Sequence, residues 1–114
     1  MRRLIQTTAL CLALAAPASA DIVYQGRDAQ GLHCAAMLGV IAKVLYKYGL
    51  LSERETEESA MAMALILVQL PGSSREIIQA FKQRADKIIA TRSPMELAKE
   101  FKSTSKWCKR EFLS

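Results

Sequence analysis

The chain has 114 residues, of which 51% are apolar, and its sixteen lysines and arginines outnumber eleven acidic residues to give a formal charge of +5. The first twenty residues hold two of the arginines and no acid, so residues 21–114 carry fourteen bases against eleven acids. A remainder of this size and composition suits one small globular domain and excludes a two-domain enzyme or a polar disordered chain. No uninterrupted apolar run reaches about 18 residues, so we expect no membrane-spanning segment.

The first twenty residues predict a cleaved secretory signal peptide. Two arginines precede a mostly apolar stretch over residues 4–16, Pro17 ends it, and residues 18–20 are the small side chains that a signal peptidase reads. We expect cleavage between Ala20 and Asp21. An uncleaved anchor is the alternative, but the stretch is shorter than the roughly 20 residues that cross a bilayer. The predicted destination is the periplasm, or secretion from the cell.

Loss of the signal peptide leaves two cysteines, Cys34 and Cys108. Two cysteines in a small exported domain predict one disulfide bond, because the compartment is oxidising and the hydrophobic core is modest. Closing a loop of this length stabilises the fold by about 4.5 kcal/mol in the chain-entropy model.

The chain after the signal divides into an N-terminal arm over residues 21–31, left without assigned structure, and a single helical domain over 32–114. Helices are predicted near residues 32–48, 53–70, 74–90 and 94–112. We expect the first to end at Gly49 in a left-handed Schellman ending. Each of the others begins with a serine three residues before a glutamate, which is the spacing of a capping box. These pairs are Ser52 with Glu55, Ser73 with Glu76, and Ser93 with Glu96.

Short connections favour antiparallel neighbours, so the sequence predicts an all-α protein, a small four-helix bundle with up-down-up-down topology. Cys34 in the first helix and Cys108 near the end of the last would then meet at one pole, which suits a disulfide. An orthogonal arrangement stays open, because helix caps do not fix crossing angles.

Apolar side chains are distributed differently on the last three helices. Residues 60–68 are all apolar, so we expect the second helix to be enclosed at the bundle centre or else covered by a partner or a second copy, as in a homodimer. The third helix has a predicted buried stripe of Ile77, Ile78, Phe81, Ala85, Ile88 and Ile89. The fourth has a predicted inner face of Leu97, Ala98, Phe101, Ser105, Cys108 and Phe112.

No set of residues predicts catalysis, so we assign no catalytic residue, metal site or cofactor. His33 is the only histidine and is expected in solvent at the start of the first helix. A Cu(I) site using His33, Cys34 and Met37 would need a free thiolate, which the predicted disulfide removes. The glutamates over residues 53–58 are explained by the positive end of a helix dipole.

Charge is divided unequally along the chain, with a net −2 over residues 21–72 and +5 over 73–114. Lysines at spacings of three, four and three residues form a stripe on the last helix, next to a tryptophan and an arginine. We interpret this stripe as a solvated face or as a partner-binding surface for an acidic protein or another anionic surface, but not for nucleic acid. Its residues are Lys99, Lys102, Lys106, Trp107, Lys109 and Arg110.

Three functions fit a rigid exported bundle without a catalytic set. The leading hypothesis is a non-enzymatic envelope protein that acts by protein–protein binding, such as an inhibitor or immunity-type factor. The alternatives are a periplasmic holdase-type stress chaperone that exposes apolar helix faces, and a carrier of a small ligand or metal in a pocket between helices.

Overall fold

The computed structural model describes residues 23–114, so the predicted signal peptide and its cleavage site at Ala20 and Asp21 lie outside the described residues. Within 23–114 the chain forms helices and no strand. The helices are α1 Gly26–Lys47, α2 Glu53–Leu67, α3 Ser74–Thr91 and α4 Pro94–Leu113. The prediction of a small all-α bundle is confirmed.

Helix α1 begins at Gly26, six residues before the predicted start at residue 32. Two glycines disfavour a helix here by intrinsic propensity, but packing overrides that preference. Gly31 is buried, and a Cβ at this position would lie 3.3 Å from side-chain atoms of both Leu70 and Phe112. The helix is α-helical over Gly26–Ala36, π-helical over Met37–Ile41 and α-helical again over Ala42–Lys47.

The end of α1 is the predicted Schellman motif. Gly49 has φ of 74°, and its N–H donates to the Tyr46 carbonyl at 3.0 Å. The Leu50 N–H donates to the Leu45 carbonyl at 2.8 Å. These two bonds satisfy carbonyls that would otherwise be unpaired at the helix end.

All three predicted capping boxes are present. The serine hydroxyls of residues 52, 73 and 93 accept from the backbone N–H groups of Glu55, Glu76 and Glu96 at 3.1, 3.2 and 3.3 Å. Hydrogen bonds with the serines lower the pKa of each of these glutamates. Pro94 follows its serine at the first position of α4, where its missing N–H costs nothing.

Helix α1 is the central helix of the bundle and contacts each of the other three. A Cβ at Gly39 would overlap Met63 Sδ and lie 3.3 Å from Phe81 Cζ, so the missing side chain lets α2 and α3 approach closely. By length and composition alone α1 could cross a membrane, but most of its apolar side chains are buried against the other helices, as in a core helix. They are Leu32, Cys34, Ala35, Ala36, Met37, Leu38, Ile41, Ala42 and Leu45.

Helix α2 is not enclosed at the bundle centre, so the first of its two predicted arrangements is wrong, and cover by a partner or a second copy stays a prediction. Its buried side is narrow and includes Ala62 and Ile66. On the opposite side Met61, Leu65 and Val68 are 69%, 55% and 78% exposed. We call these three residues the α2 stripe. The apolar run surrounds the helix axis, but α1 already occupies the centre and α2 can bury only the side that faces it.

The buried faces of α3 and α4 agree with the faces predicted from the sequence to different degrees. On α4 the residues Leu97, Phe101 and Cys108 are buried, as predicted. On α3 Ala85 and Ile88 are buried as predicted, but Ile78 and Ile89 are exposed, and Ala80 from outside the predicted stripe is buried. The predicted burial of the two isoleucines is therefore wrong.

The predicted disulfide between Cys34 and Cys108 is present, with the Cα atoms 5.6 Å apart and both side chains buried. It joins α1 to the last turns of α4. Further contacts hold this end of the bundle together. The Arg27 side chain donates to the Glu111 carbonyl at 2.6 Å, and Gln69 Nε2 donates to the Phe112 carbonyl at 3.0 Å. A disulfide is compatible with an exported protein.

Candidate functional site

Helix α4 separates two grooves, and the residues predicted to bind a partner are divided between them. Lys99, Lys102 and Lys106 line one groove. Trp107 and Arg110 line the other. Lys109 is exposed, and its charge contributes to lowering the pKa of Glu55 after the hydrogen bonds to Ser52. The predicted residues thus line two neighbouring grooves along α4.

The first groove, which we call the lysine groove, lies between α4 and the end of α1 and has a volume of about 660 Å³. Its floor is apolar, with Leu45 and Phe101 buried. Its edges keep large apolar side chains in solvent, since Leu50 is 46% and Met95 63% exposed. The remaining apolar lining comes from Leu51 and Ala98.

The rim of this groove is cationic. Its three lysines are exposed and span about 10 Å along α4 at the helical rise of 1.5 Å per residue. Glu55 is the one acidic residue in the lining, and it is already engaged in the capping box of α2. An apolar floor with such a rim is complementary to an amphipathic, acidic segment.

The second groove, which we call the arginine groove, has a volume of about 670 Å³ and lies where α1, α3 and α4 meet. Arg84 enters it from α3, and Trp107 and Arg110 enter it from α4. Ser103 and Thr104 supply two hydroxyls. The α1 side of the groove consists of Ala29, Gln30, His33 and the disulfide-bonded Cys34.

The two arginines of this groove have no carboxylate partner among residues 23–114. By contrast, Arg27, Arg54 and Arg92 each lie beside a glutamate, at N–O distances of 3.7, 3.2 and 3.0 Å. Two guanidinium groups from different helices therefore face one cavity with their charge uncompensated by an ion pair.

His33 is half-buried, so the prediction of a solvent-exposed histidine is wrong. The early start of α1 places it in the third turn of that helix, where α4 covers it. Its Nε2 lies 3.9 Å from Glu100 Oε2, while Glu100 Oε1 accepts from Arg92 Nε at 3.0 Å. Burial lowers the pKa of His33, the Glu100 charge opposes this, and Arg84 and Arg92 lower it further. Arg84 thus acts electrostatically on His33 across the groove.

The structure brings a histidine, a glutamate and two hydroxyls to one region, and nucleophilic catalysis would require His33 to accept a hydroxyl proton. Ser103 Oγ instead donates to the carbonyl of Glu100 at 3.3 Å. In the described part of the chain the histidine makes no hydrogen bond with either hydroxyl. The arrangement can recognise a polar ligand, but it does not show an activated nucleophile.

The Cu(I) alternative loses its thiolate, because Cys34 is oxidised in the structure. Across residues 23–114, no group of three or more histidine, cysteine and acidic side chains could hold a metal ion. The glutamates at the start of α2 act as expected of a helix start, with Arg54 Nε donating to Glu58 at 3.2 Å.

Sequence reasoning missed several residues of the two grooves. Arg84 lies three residues after Phe81 and four before Ile88, both in the predicted buried stripe, so helical spacing alone could have placed it beside that stripe. The pairing of His33 with Glu100 had no signal in the sequence, since it depends on the crossing of α1 and α4. The exposure of Leu50 and Met95 at the edges of the lysine groove had no signal either, because these residues lie next to a predicted helix end and a predicted helix start.

The chain matches no protein-family model, and comparisons with curated proteins and with solved structures also found no match. The functional argument therefore depends on the chemistry of the two grooves.

Proposed function

We propose that the protein is an exported, non-enzymatic envelope protein that acts by binding another protein, as an inhibitor or immunity-type factor does. The lysine groove is the proposed binding surface, and its occupant is an acidic amphipathic helix of the partner. The observation that carries this proposal is the apolar floor of the groove together with its rim of Lys99, Lys102 and Lys106.

The floor supplies the affinity in this proposal. Leu50 and Met95 keep large apolar surfaces in water at the edges of the groove. Covering apolar surface gains about 25 cal/mol per Å², so a partner that seats an apolar residue between them binds favourably. A concave patch of this kind on a small domain is typical of an interaction site.

The rim supplies the specificity. The three lysines are spaced by three and four residues on α4, so their charges form a row about two helical turns long. A partner helix with apolar residues at the same spacings can place them on the floor and direct its acids toward the lysines. Charge complementarity then selects the partner and speeds association.

Export is part of the same proposal. The first twenty residues predict a signal peptide, and the disulfide is of the kind that forms in oxidising compartments. We place the protein in the periplasm, with secretion as the alternative.

The proposal is tested with a photo-crosslinking amino acid at Met95, at the edge of the lysine groove, in the mature protein expressed in its own host. Ile78 on α3 is the matched control, because it is also an exposed apolar residue but lies outside the groove. We expect one stoichiometric adduct from position 95 and none from position 78. Equal adducts from both positions, or none from position 95, would contradict the proposal.

Charge reversal provides the second arm of the test. Changing Lys99, Lys102 and Lys106 together to glutamate should abolish the adduct. The same change at Lys43, Lys82 and Lys87, three exposed lysines outside the groove, alters net charge equally and should leave the adduct intact. An adduct that both triple variants lose equally would mean that net charge, and not the groove, attracts the partner.

The α2 stripe favours a second candidate function, a holdase-type chaperone. Met61, Leu65 and Val68 expose a continuous apolar strip that could hold an unfolded client. Suppression of client aggregation at acidic and neutral pH tests this function, with Leu65→Lys as the variant expected to lose it. No suppression at either pH removes the holdase alternative.

A further inference from the structure

We propose that the arginine groove binds a small anionic sugar, meaning a sugar that carries a carboxylate or phosphate group. This site is separate from the lysine groove and goes beyond the proposed protein-binding function. The juxtaposition that carries the inference is two arginines without carboxylate partners, a tryptophan and two hydroxyls around one cavity.

The arginines determine the charge of the ligand. Arg84 on α3 and Arg110 on α4 face the groove from two helices, and neither has an ion-pair partner among the described residues. A guanidinium group presents parallel N–H donors that match the two oxygens of a carboxylate or phosphate. Two such groups lining one groove can both contact an anionic ligand.

Trp107 and the hydroxyls determine the rest of the ligand. Trp107 is half-buried, and its ring packs edge-on against Phe112 with the centroids 6.3 Å apart, so the ring is fixed before a ligand arrives. Its ring offers an apolar surface, while Gln30, Ser103 and Thr104 offer polar groups nearby. Apolar ring faces with polar edges are the chemistry of a sugar, whereas a bare anion would not use the tryptophan.

The groove is rigid enough to act as a preformed site. Its α1 wall contains Cys34, whose disulfide to Cys108 ties that wall to α4. The groove has a volume of about 670 Å³ and is largely open to solvent. Preorganised walls reduce the ordering cost of binding, which favours measurable affinity for a small ligand.

The lysine groove cannot account for this site, since the two grooves open on different sides of α4 and share no lining residue. A partner helix in the lysine groove would leave Arg84, which lies on α3, uncovered. The two proposals can therefore fail independently.

The test uses the fluorescence of Trp107, which is the only tryptophan in the sequence. The mature protein is titrated with glucuronate, glucose 6-phosphate, glucose and inorganic phosphate. We expect a saturable change with at least one of the charged sugars, at a concentration about tenfold or more below that needed for glucose or inorganic phosphate. The two charged probes distinguish a carboxylate from a phosphate ligand.

Variants of single arginines test whether the sugar binds in the arginine groove. Arg84→Gln and Arg110→Gln should each weaken binding of the charged sugar by about tenfold or more, because each removes a charge-assisted hydrogen bond. Arg75→Gln is the control, since Arg75 is exposed on α3, has no carboxylate partner in the described chain and lies outside the groove. Thermal unfolding of all three variants confirms that each remains folded.

Three results would overturn the inference. These are no saturable fluorescence change with either charged sugar up to about 10 mM, an equal affinity for glucose or inorganic phosphate, or unchanged binding in both groove variants. A variant with Lys99, Lys102 and Lys106 changed to glutamine, which places no carboxylate four residues before Arg110, should bind the sugar as the unsubstituted protein does. Retained sugar binding in that variant, with loss of the protein adduct, would separate the two sites experimentally.

Discussion

Helices α1 and α2 both contain long apolar runs, but only α1 is buried on all sides over its middle turns. Small residues explain the difference. Ala35, Ala36, Gly39 and Ala42 lie on α1 where its neighbours approach, and a Cβ at Gly39 would overlap Met63. The run on α2 has larger side chains facing away from α1, and these remain in solvent. Apolar content makes a helix a candidate for the core, and glycines that permit close approach, as Gly39 does, help several neighbours to surround α1.

The same comparison explains where the grooves lie. Both grooves have a wall on α1, with Leu45 in the lysine groove and His33 in the arginine groove. The charged residues come from the outer helices, chiefly α4. A buried, closely packed α1 thus provides a fixed base, and the outer helices provide the side chains that meet a ligand.

The disulfide gives the largest expected effect, because it joins α1 to α4 across a sequence separation of 74 residues. Cys34→Ser and Cys108→Ser should each lower the free energy of unfolding by up to about 4.5 kcal/mol, the entropy of closing that loop. The double variant should be no worse than either single one, since one bond is lost in every case. Urea unfolding measures all three.

Unequal losses at the two cysteines, or additive losses in the double variant, would contradict a common origin in the disulfide. Packing of the individual side chains would then explain the effect, and α4 would be attached to α1 mainly by its apolar face.

A matched pair of leucines tests the contrast between α1 and α2 directly. Leu38 on α1 is fully buried, whereas Leu65 on α2 is 55% exposed. Leu38→Ala should cost about 2–5 kcal/mol, since it removes buried methyl groups and leaves a cavity. Leu65→Ala should cost within about 0.5 kcal/mol, as expected of a surface position. Urea unfolding at several protein concentrations gives both values.

A large decrease in the free energy of unfolding for Leu65→Ala would contradict the contrast between a buried α1 and a partly exposed α2. If that loss were accompanied by an unfolding midpoint that rises with protein concentration, the α2 stripe would be the interface of a homodimer. A midpoint independent of concentration, with a small loss, would leave the stripe as a free surface of the monomer.

Local features of the fold were predictable from the sequence. The three capping boxes, the Schellman ending at Gly49 and the proline at the start of α4 each depend on residues within one turn of each other, so spacing was sufficient. The disulfide was predictable because two cysteines allow only one intramolecular pairing. These local and covalent constraints were enough to predict an all-α bundle.

Features that depend on helix packing were not predictable. Gly26 and Gly31 disfavour a helix locally, yet α1 includes both, because Leu70 and Phe112 pack against Gly31. The position of α2 at the periphery follows from the close contact at Gly39, which no local pattern reveals. The arginine groove was missed for the same reason, since its walls come from three helices and meet only in the folded chain.

The smallest expected effect concerns the pH dependence of stability, through His33 on α1. Burial lowers its pKa in the folded state, the Glu100 charge from α4 opposes this, and Arg84 and Arg92 add to the lowering. As the pH falls through about 6.5, the unfolded chain takes up a proton that the folded chain does not yet bind, so the free energy of unfolding decreases. The decrease ends once the pH is below the folded-state pKa. His33→Gln should lack this step between pH 7.5 and 5.5 in urea unfolding. The capping glutamates lose their contribution to stability only at lower pH, because their pKa values lie below the usual 4.5.

An identical pH-dependent step in the His33→Gln variant would show that the partial burial of His33 does not cause the pH dependence of stability. A step of opposite sign in the unsubstituted protein would show that attraction to Glu100 outweighs the burial of His33.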